Sequence, residues 1–370
     1  MKSFQRWLGL ALTLLVSACT APMVDKPATT MYSELATKQG VANAQAGVRQ
    51  VPAKTLAVPS VEVSPQVQGL IAGPYNPFFG SIPQTSGEWK TLIDQRAKAA
   101  AAGIPALKAK FNVSIEQTRI GGVNAYILTP ATIGANNRNR LLMHIHGGGY
   151  VFSPGEAGLA EAILMASIGG YKVVSVDYRM PPDHPYPAAM DDAMAVWKEL
   201  IKTNNPRNMA VFGTSTGGAM VLALIHRAKA EKVALPAAIG PGTPWSDIAR
   251  IGDTYETNEW VDNVLVTWDG WLGKAALLYA NGRDLKDPQI SPIYGDMSGF
   301  PPTILTSGTR DLFLSNTVRT HRKLRRAGVI SDLNVYEGMS HAQYIYSADA
   351  PETREAFTDL SRFFDQFLGK

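Results

Sequence analysis

From about residue 110 to the C-terminus, short apolar runs alternate with longer stretches of helical character, and that alternation leaves the chain few architectures. The runs are 141–145, 172–176, 209–212, 237–239, 303–306 and 333–336. Ahead of them, 111–120 and 123–128 read as a hairpin around Gly121-Gly122. Helical stretches at 159–168, 188–201, 218–230, 317–327 and 352–367 separate most of the runs. Continuously apolar strands alternating with helices imply an α/β fold, a mostly parallel sheet covered on both faces. In such a sheet, chemistry gathers in loops at the carboxyl ends of the strands.

The unusual residues fall at those ends. Strand 209–212 leads into Gly213-Thr214-Ser215-Thr216-Gly217-Gly218, and a helix follows. Strand, Gly-x-Ser-x-Gly and helix together make a nucleophile elbow. The glycines are needed because so tight a turn presses backbone against its neighbours, where a Cβ has no room. Ser215 is thereby raised at a helix N-terminus, whose N–H groups favour developing negative charge. Strand 141–145 leads in the same way into His146-Gly147-Gly148-Gly149-Tyr150. Three glycines after a strand let N–H groups converge on one small volume, as an oxyanion requires. The candidates are the N–H groups of Gly147, Gly148 and Thr216. His144 and His146 have the spacing of a metal pair, but no nearby Asp or further His completes a set. A metal is not expected.

A general base must come from six histidines. His144, His146 and His184 precede the serine, His226 lies on the helix after it, and His321 sits mid-helix among Arg and Lys. His341 alone follows a strand, in the loop opened by Glu337-Gly338-Met339-Ser340. The chain order Ser, then Asp or Glu, then His puts the third member between Ser215 and His341. Of Asp247, Asp253, Asp262, Asp269, Asp284, Asp287, Asp296, Asp311 and Asp332, only Asp311 closes a strand directly. A buried carboxylate there would orient the imidazole and stabilise the imidazolium. A helix N-cap is the competing role for Asp311.

With these motifs in order, the chain resembles the hormone-sensitive-lipase-like family of bacterial esterases, within the α/β-hydrolase superfamily. The resemblance covers about residues 75–370. It rests on His146-Gly147-Gly148-Gly149, on Gly213 to Gly218, on Asp177-Tyr178-Arg179 running to His184-Pro185-Tyr186-Pro187-Ala188-Ala189, on Asp311, and on Gly338-Met339-Ser340-His341. It implies an α/β-hydrolase fold, hydrolysis of small carboxylic esters through an acyl-enzyme, and no cofactor. It also implies a helical cap, expected at about 85–107 and 247–280. Preference for short acyl chains follows from the same analogy. The commoner family elbow has Asp before the serine and Ala after it, where this chain has Thr214 and Thr216. Thr216 is therefore expected to crowd bulky acyl groups. Tyr150, Trp260, Trp268 and Trp271 are candidates for the substrate pocket, with cap packing as the alternative. The stretch 177–192 reads as structural, a Pro-rich turn with ion pairs.

The N-terminus has its own logic. Met1 to Arg6 is basic, 7–16 is apolar, and Val16-Ser17-Ala18-Cys19 follows, resembling a bacterial lipobox. The expectation is a signal peptide at 1–18, a lipid on Cys19, a tether over 19–74, and a catalytic domain at 75–370 anchored to the bacterial cell envelope. An ordinary signal peptide with a chance cysteine is the alternative. Cys19 is the one cysteine, so neither a disulfide nor a thiol nucleophile is expected. The net charge of +4 includes Lys2 and Arg6 of the leader, and no Lys/Arg stripe carries interleaved aromatics, which argues against a nucleic-acid partner. Arg322, Lys323, Arg325 and Arg326 read as a solvated helix face. An amidase or lactonase on the same triad stays open, because leaving-group preference lies in the pocket. A non-catalytic binding module is disfavoured by the complete triad. The number of subunits stays open.

Overall fold

The strands of the computed structural model are β1 (Val113–Ile120), β2 (Val123–Pro130), β3 (Leu141–Ile145), β4 (Lys172–Val176), β5 (Met209–Thr214), β6 (Ala238–Gly242), β7 (Thr303–Gly308) and β8 (Ser331–Tyr336). They form one sheet in the order β1-β2-β4-β3-β5-β6-β7-β8. β1 and β2 pair antiparallel, β2 joins β4 antiparallel, and all later pairings are parallel. Side chains alternate between two cores: Met143, Val211, Ile239 and Leu305 enter one, while Leu142, Ala210, Ala238 and Ile304 enter the other. A slip of one residue would exchange the two sets, so burial on both faces fixes the register.

Ala53 and residues 55–370 are described by the structure, and Val58–Lys370 is one unit of it. The signal peptide, Cys19 and most of the tether fall outside the described residues. The helices are α1 (Pro65–Ile71), α2 (Ser86–Ala101), α3 (Ile104–Phe111), α4 (Ala160–Gly169), α5 (Ala188–Thr203), α6 (Thr216–Ala230), α7 (Thr254–Thr257), α8 (Trp271–Ala280), α9 (Leu314–Arg326), α10 (Gln343–Tyr346) and α11 (Pro351–Phe367). α5 and α6 cover one face through Met190, Met194, Trp197, Met220 and Leu224. α4 and α11 cover the other through Ile163, Leu164, Phe357 and Phe364. α4 is apolar nearly all round, as suits a helix enclosed between a sheet and a second helix.

Two differences from the sequence reading bear on the site. The first expected cap region, 85–107, holds two helices, and the second, α3, runs on to Phe111 with Pro105 in its first turn, where proline is tolerated because the N–H groups lack partners anyway. The expected tether gives way at Val58. Val63, Val67 and Ile71 pack on Met339, Tyr344, Ala350 and Ala356. Ser64, the N-cap of α1, donates its N–H (2.6 Å) and hydroxyl (2.7 Å) to the Glu352 carboxylate. The Leu70 carbonyl accepts from Asn263 Nδ2 (2.8 Å) and Gln343 Nε2 (3.1 Å), on the loops that hold Asp262 and His341. The apolar spacing of Val63, Val67 and Ile71 signals this helix, but a composition rich in Val, Pro and Gln masks it.

Val67 is fully buried, so Val67→Asp places a charge in an apolar seat and is expected to release α1. Thermal denaturation should then shift down by an amount worth several kcal/mol, with earlier proteolysis near residue 60. A melting curve and cleavage pattern like wild type would mean that this segment is a tether after all.

Candidate active site

β5 is buried along its whole length and carries the chain to the rim of the sheet, where Ser215 turns at φ 64° and ψ −122° into α6. Such a backbone costs about 1–3 kcal/mol and persists only where surrounding structure enforces it. The Ser215 N–H donates to the Gly242 carbonyl (2.9 Å), and the Ser215 carbonyl accepts from Trp245 (3.0 Å) and Ala219 (3.0 Å). Gly213 and Gly217 both lie against the Ile145 carbonyl at the end of β3, too close for a Cβ at either position. Gly147 rides over the same turn, where a Cβ would stand 2.6 Å from the Thr214 oxygen and 3.2 Å from Ser215 Cβ. Among the described residues, the N–H groups of Gly147 and Gly148 donate to no backbone carbonyl. Thr216 opens α6, where first-turn N–H groups have no intrahelical acceptor.

Pairing of β7 with β8 sets the loops after them side by side. His341 Nδ1 lies 3.0 Å from Asp311 Oδ1, and both side chains are buried. Asp311 Oδ1 also accepts from the Phe313 N–H (2.7 Å), so the carboxylate braces its own turn as well as facing the imidazole. Its Oδ2 accepts from the hydroxyls of Ser307 (3.0 Å) and Thr243. Thr243 Oγ1 is also 3.2 Å from His341 Nδ1.

A second buried carboxylate stands beside this pair. Asp262 Oδ2 accepts from the backbone N–H groups of Leu312 (2.8 Å) and His341 (3.2 Å), and Oδ1 from those of Val264 (2.8 Å) and Leu265 (3.0 Å). Asp262 thus ties the residue after Asp311 to the histidine itself and to the cap segment. Burial, reinforced by the charge of Asp311, pushes its carboxyl above the usual carboxylate range, and His341 acts in the opposite direction. In the sequence Asp262 is one aspartate among several, with no strand before it to mark it.

Behind the serine runs a polar chain. The Thr214 hydroxyl donates to Glu161 Oε1 (2.7 Å) and accepts from the Tyr344 hydroxyl (2.7 Å). Glu161 Oε2 meets His144 Nε2 (3.1 Å), whose Nδ1 meets the Ser175 hydroxyl (2.8 Å). His146 stacks on Tyr178 at 4.2 Å and donates its Nδ1–H to the Gly147 carbonyl (2.8 Å). Burial holds the His146 imidazolium form down to about 4, against the Gly147 bond that favours it. Both histidines of the His-x-His pair are therefore engaged by protein groups.

Ser215, His341, Gly147 and Gly148 line one cavity of about 230 Å³, together with Arg96 of α2 and Trp271 of α8. Both expected cap regions reach it. The structure brings the serine, the histidine and the glycine loop together on this wall, with Asp311 behind His341. Of the four aromatic candidates, only Trp271 lines the cavity. Tyr150 is buried against Tyr279 at 3.6 Å between ring centroids, and Trp268 packs edge-on against Trp245 and Tyr255. Trp260 is 53% exposed and packs on Tyr75 and Phe79. These three pack on neighbouring aromatic rings, Trp260 and Trp268 in the second cap region and Tyr150 in the loop after β3. The Thr216 side chain is fully buried and absent from the cavity wall, which corrects the expectation that it crowds the acyl group. In the stretch read as structural, Arg179 forks onto Asp192 (2.7–3.1 Å) and Asp177 caps the Gly155 N–H (2.8 Å).

Residues 142–345 match the alpha/beta hydrolase fold family. The chain is similar to an esterase of Acinetobacter venetianus, 27% identical over 254 residues that cover 68% of this chain and 82% of the relative. It is also similar to an ethyl acetate hydrolase of Pseudomonas putida, 28% identical over 230 residues that cover 57% of this chain and 67% of that one. Among solved structures it resembles esterase E25, with a TM-score of 0.83 and 42% identity over 86% of this chain and 98% of that chain.

Asp262→Asn replaces an acceptor by an amide that presents N–H to N–H. With the loops misplaced, kcat should fall about tenfold to a hundredfold while KM changes little, measured by steady-state kinetics. A kcat within twofold of wild type would remove Asp262 from the positioning set. His146 supplies a pH dependence. Burial lowers its folded value from the ordinary 6.5 to about 4, so its contribution to stability is complete above 6.5 and is lost as pH falls toward 4. The loss should reach about 3 kcal/mol, read from denaturant melts between pH 7 and pH 4. Equal stability across that range would contradict a buried neutral imidazole.

Proposed function

The chain belongs to the alpha/beta hydrolase fold family and is a carboxylic ester hydrolase, and from that premise we propose that Ser215, His341 and Asp311 carry its reaction through an acyl-enzyme. The observation that supports these roles most is the strained Ser215 turn facing the same cavity as His341, whose far nitrogen is held by Asp311. His341 takes the Ser215 hydroxyl proton as the oxygen attacks the ester carbonyl. The N–H groups of Gly147, Gly148 and Thr216 receive the resulting oxyanion, a donor set in which each member is typically worth about 10²–10³ in rate. Asp311 stabilises the imidazolium. Collapse expels the alcohol with the proton returned by His341, leaving Ser215 acylated. Water then attacks with its proton passing to His341, the acid departs, and Ser215 recovers its proton.

A cavity of about 230 Å³ lies below the usual range for drug-sized ligands, which supports small acyl and alcohol groups. The motif match to the hormone-sensitive-lipase-like branch supports the same preference. Export and a lipid on Cys19, with the enzyme held at the bacterial envelope, form part of this reading. They rest on the basic start, the apolar run and Val16-Ser17-Ala18-Cys19.

A fluorophosphonate probe should label the wild type covalently and leave Ser215→Ala unlabelled, with hydrolysis of an acetate ester lowered by at least about 10³. Labelling that survives in Ser215→Ala would place the nucleophile elsewhere. Cys19→Ser should move the protein from the membrane fraction to the soluble fraction in cell fractionation. An unchanged distribution would end the lipid-anchor reading.

A further inference from the structure

The cavity contains a cation that the hydrolytic steps leave unused. Arg96 comes from α2 in the cap and lines the same wall as Ser215 and His341. Its Nη1 is shut off from solvent and has no hydrogen-bond partner among the described residues. The guanidinium lies 4.2 Å from the centroid of Phe152, 5.5 Å from Trp271 and 5.6 Å from Phe78. Those rings orient it and offset part of its desolvation. The cost still registers, since burial lowers the guanidinium from its ordinary value.

No described carboxylate comes within ion-pair distance of Arg96. Glu161 shares the cavity, but its two oxygens already meet Thr214 and His144. Tyr346, also on the wall, is uncharged near neutrality. Arg319 shows the contrasting case, being paired with the buried Asp247 at 2.8 Å. An arginine cannot relieve burial by losing its proton, and its planar fork matches a carboxylate. A guanidinium on the cavity wall with no ion-pair partner among the described residues can take its anion from the substrate.

We propose that the cavity selects esters that carry a carboxylate, such as half-esters of short dicarboxylic acids, and that Arg96 binds that carboxylate. The inference rests on the ester-hydrolase reading of the same cavity. With the carboxylate paired to the guanidinium on its cavity side, away from the stacked rings, the ester carbonyl is positioned at Ser215. A neutral ester of equal length leaves the guanidinium unpaired and is the poorer substrate.

The test compares kcat/KM for monomethyl succinate, glutarate and adipate with that for the methyl esters of butanoic, pentanoic and hexanoic acids. Wild type should favour at least one half-ester over its neutral counterpart. In Arg96→Met the ratio of half-ester to neutral ester should fall about tenfold or more, and Arg96→Lys should retain part of it. Free glutarate should compete with a neutral ester in wild type and lose most of that effect in Arg96→Met. A ratio that favours the neutral ester throughout the wild-type series, or is the same in Arg96→Met, overturns the proposal. Fluorophosphonate labelling of Ser215 in the same preparations separates the two failures. With labelling intact, only the carboxylate preference is lost; with none, the hydrolase reading of the cavity goes too.

Discussion

The contact on which the rest of this structure depends is between backbones: the Ile145 carbonyl at the end of β3, wedged against Gly213 and Gly217 of the neighbouring turn. It lets the loop after β3 and the turn after β5 share one small volume. The Gly147 backbone therefore lies directly over the Ser215 turn rather than a side-chain width away. No other residue type allows that approach, because a Cβ at either glycine would overlap the carbonyl. The unusual backbone at Ser215 follows from the same constraint, since its N–H and carbonyl are both tied to the β6 side of the sheet through Gly242 and Trp245.

Around that contact the protein invests buried polar groups where an ordinary core would be apolar. Glu161, Thr214, Tyr344, His144 and Ser175 form a continuous chain beneath the serine. Asp262, Asp311, Thr243 and Ser307 do the same around His341. Each buried polar group is costly when unpaired and rigid when paired, so the two sets hold the strand ends in a single arrangement. The N-terminal helix α1 adds to this by reaching Asn263 and Gln343, neighbours of Asp262 and His341. The cap takes part in both: it supplies Asp262 as well as walls of the cavity.

The sequence discloses what local physics determines. Strands β3 and β4 stand where the apolar runs put them, and the elbow, the glycine loop and the order of Ser215, Asp311 and His341 follow from turns at strand ends. It does not disclose contacts between distant side chains that no local pattern announces. Asp262 sits in an irregular cap segment, 79 residues before the His341 whose N–H it accepts. Thr214, a departure from the commoner family elbow, finds its partner in Glu161 of α4. The aromatic candidates stayed undivided for a related reason, since packing decides that Trp271 lines the cavity while Trp260 and Trp268 pack on other rings. The short helix α1 was concealed by a composition that reads as a linker.

The most direct measurement is rapid-quench mass spectrometry of the enzyme mixed with p-nitrophenyl acetate. The expected result is a burst of p-nitrophenol equal to the enzyme present, together with an acetyl group on the peptide that contains Ser215. Turnover without an adduct on that peptide, or an adduct on a different residue, would contradict the account.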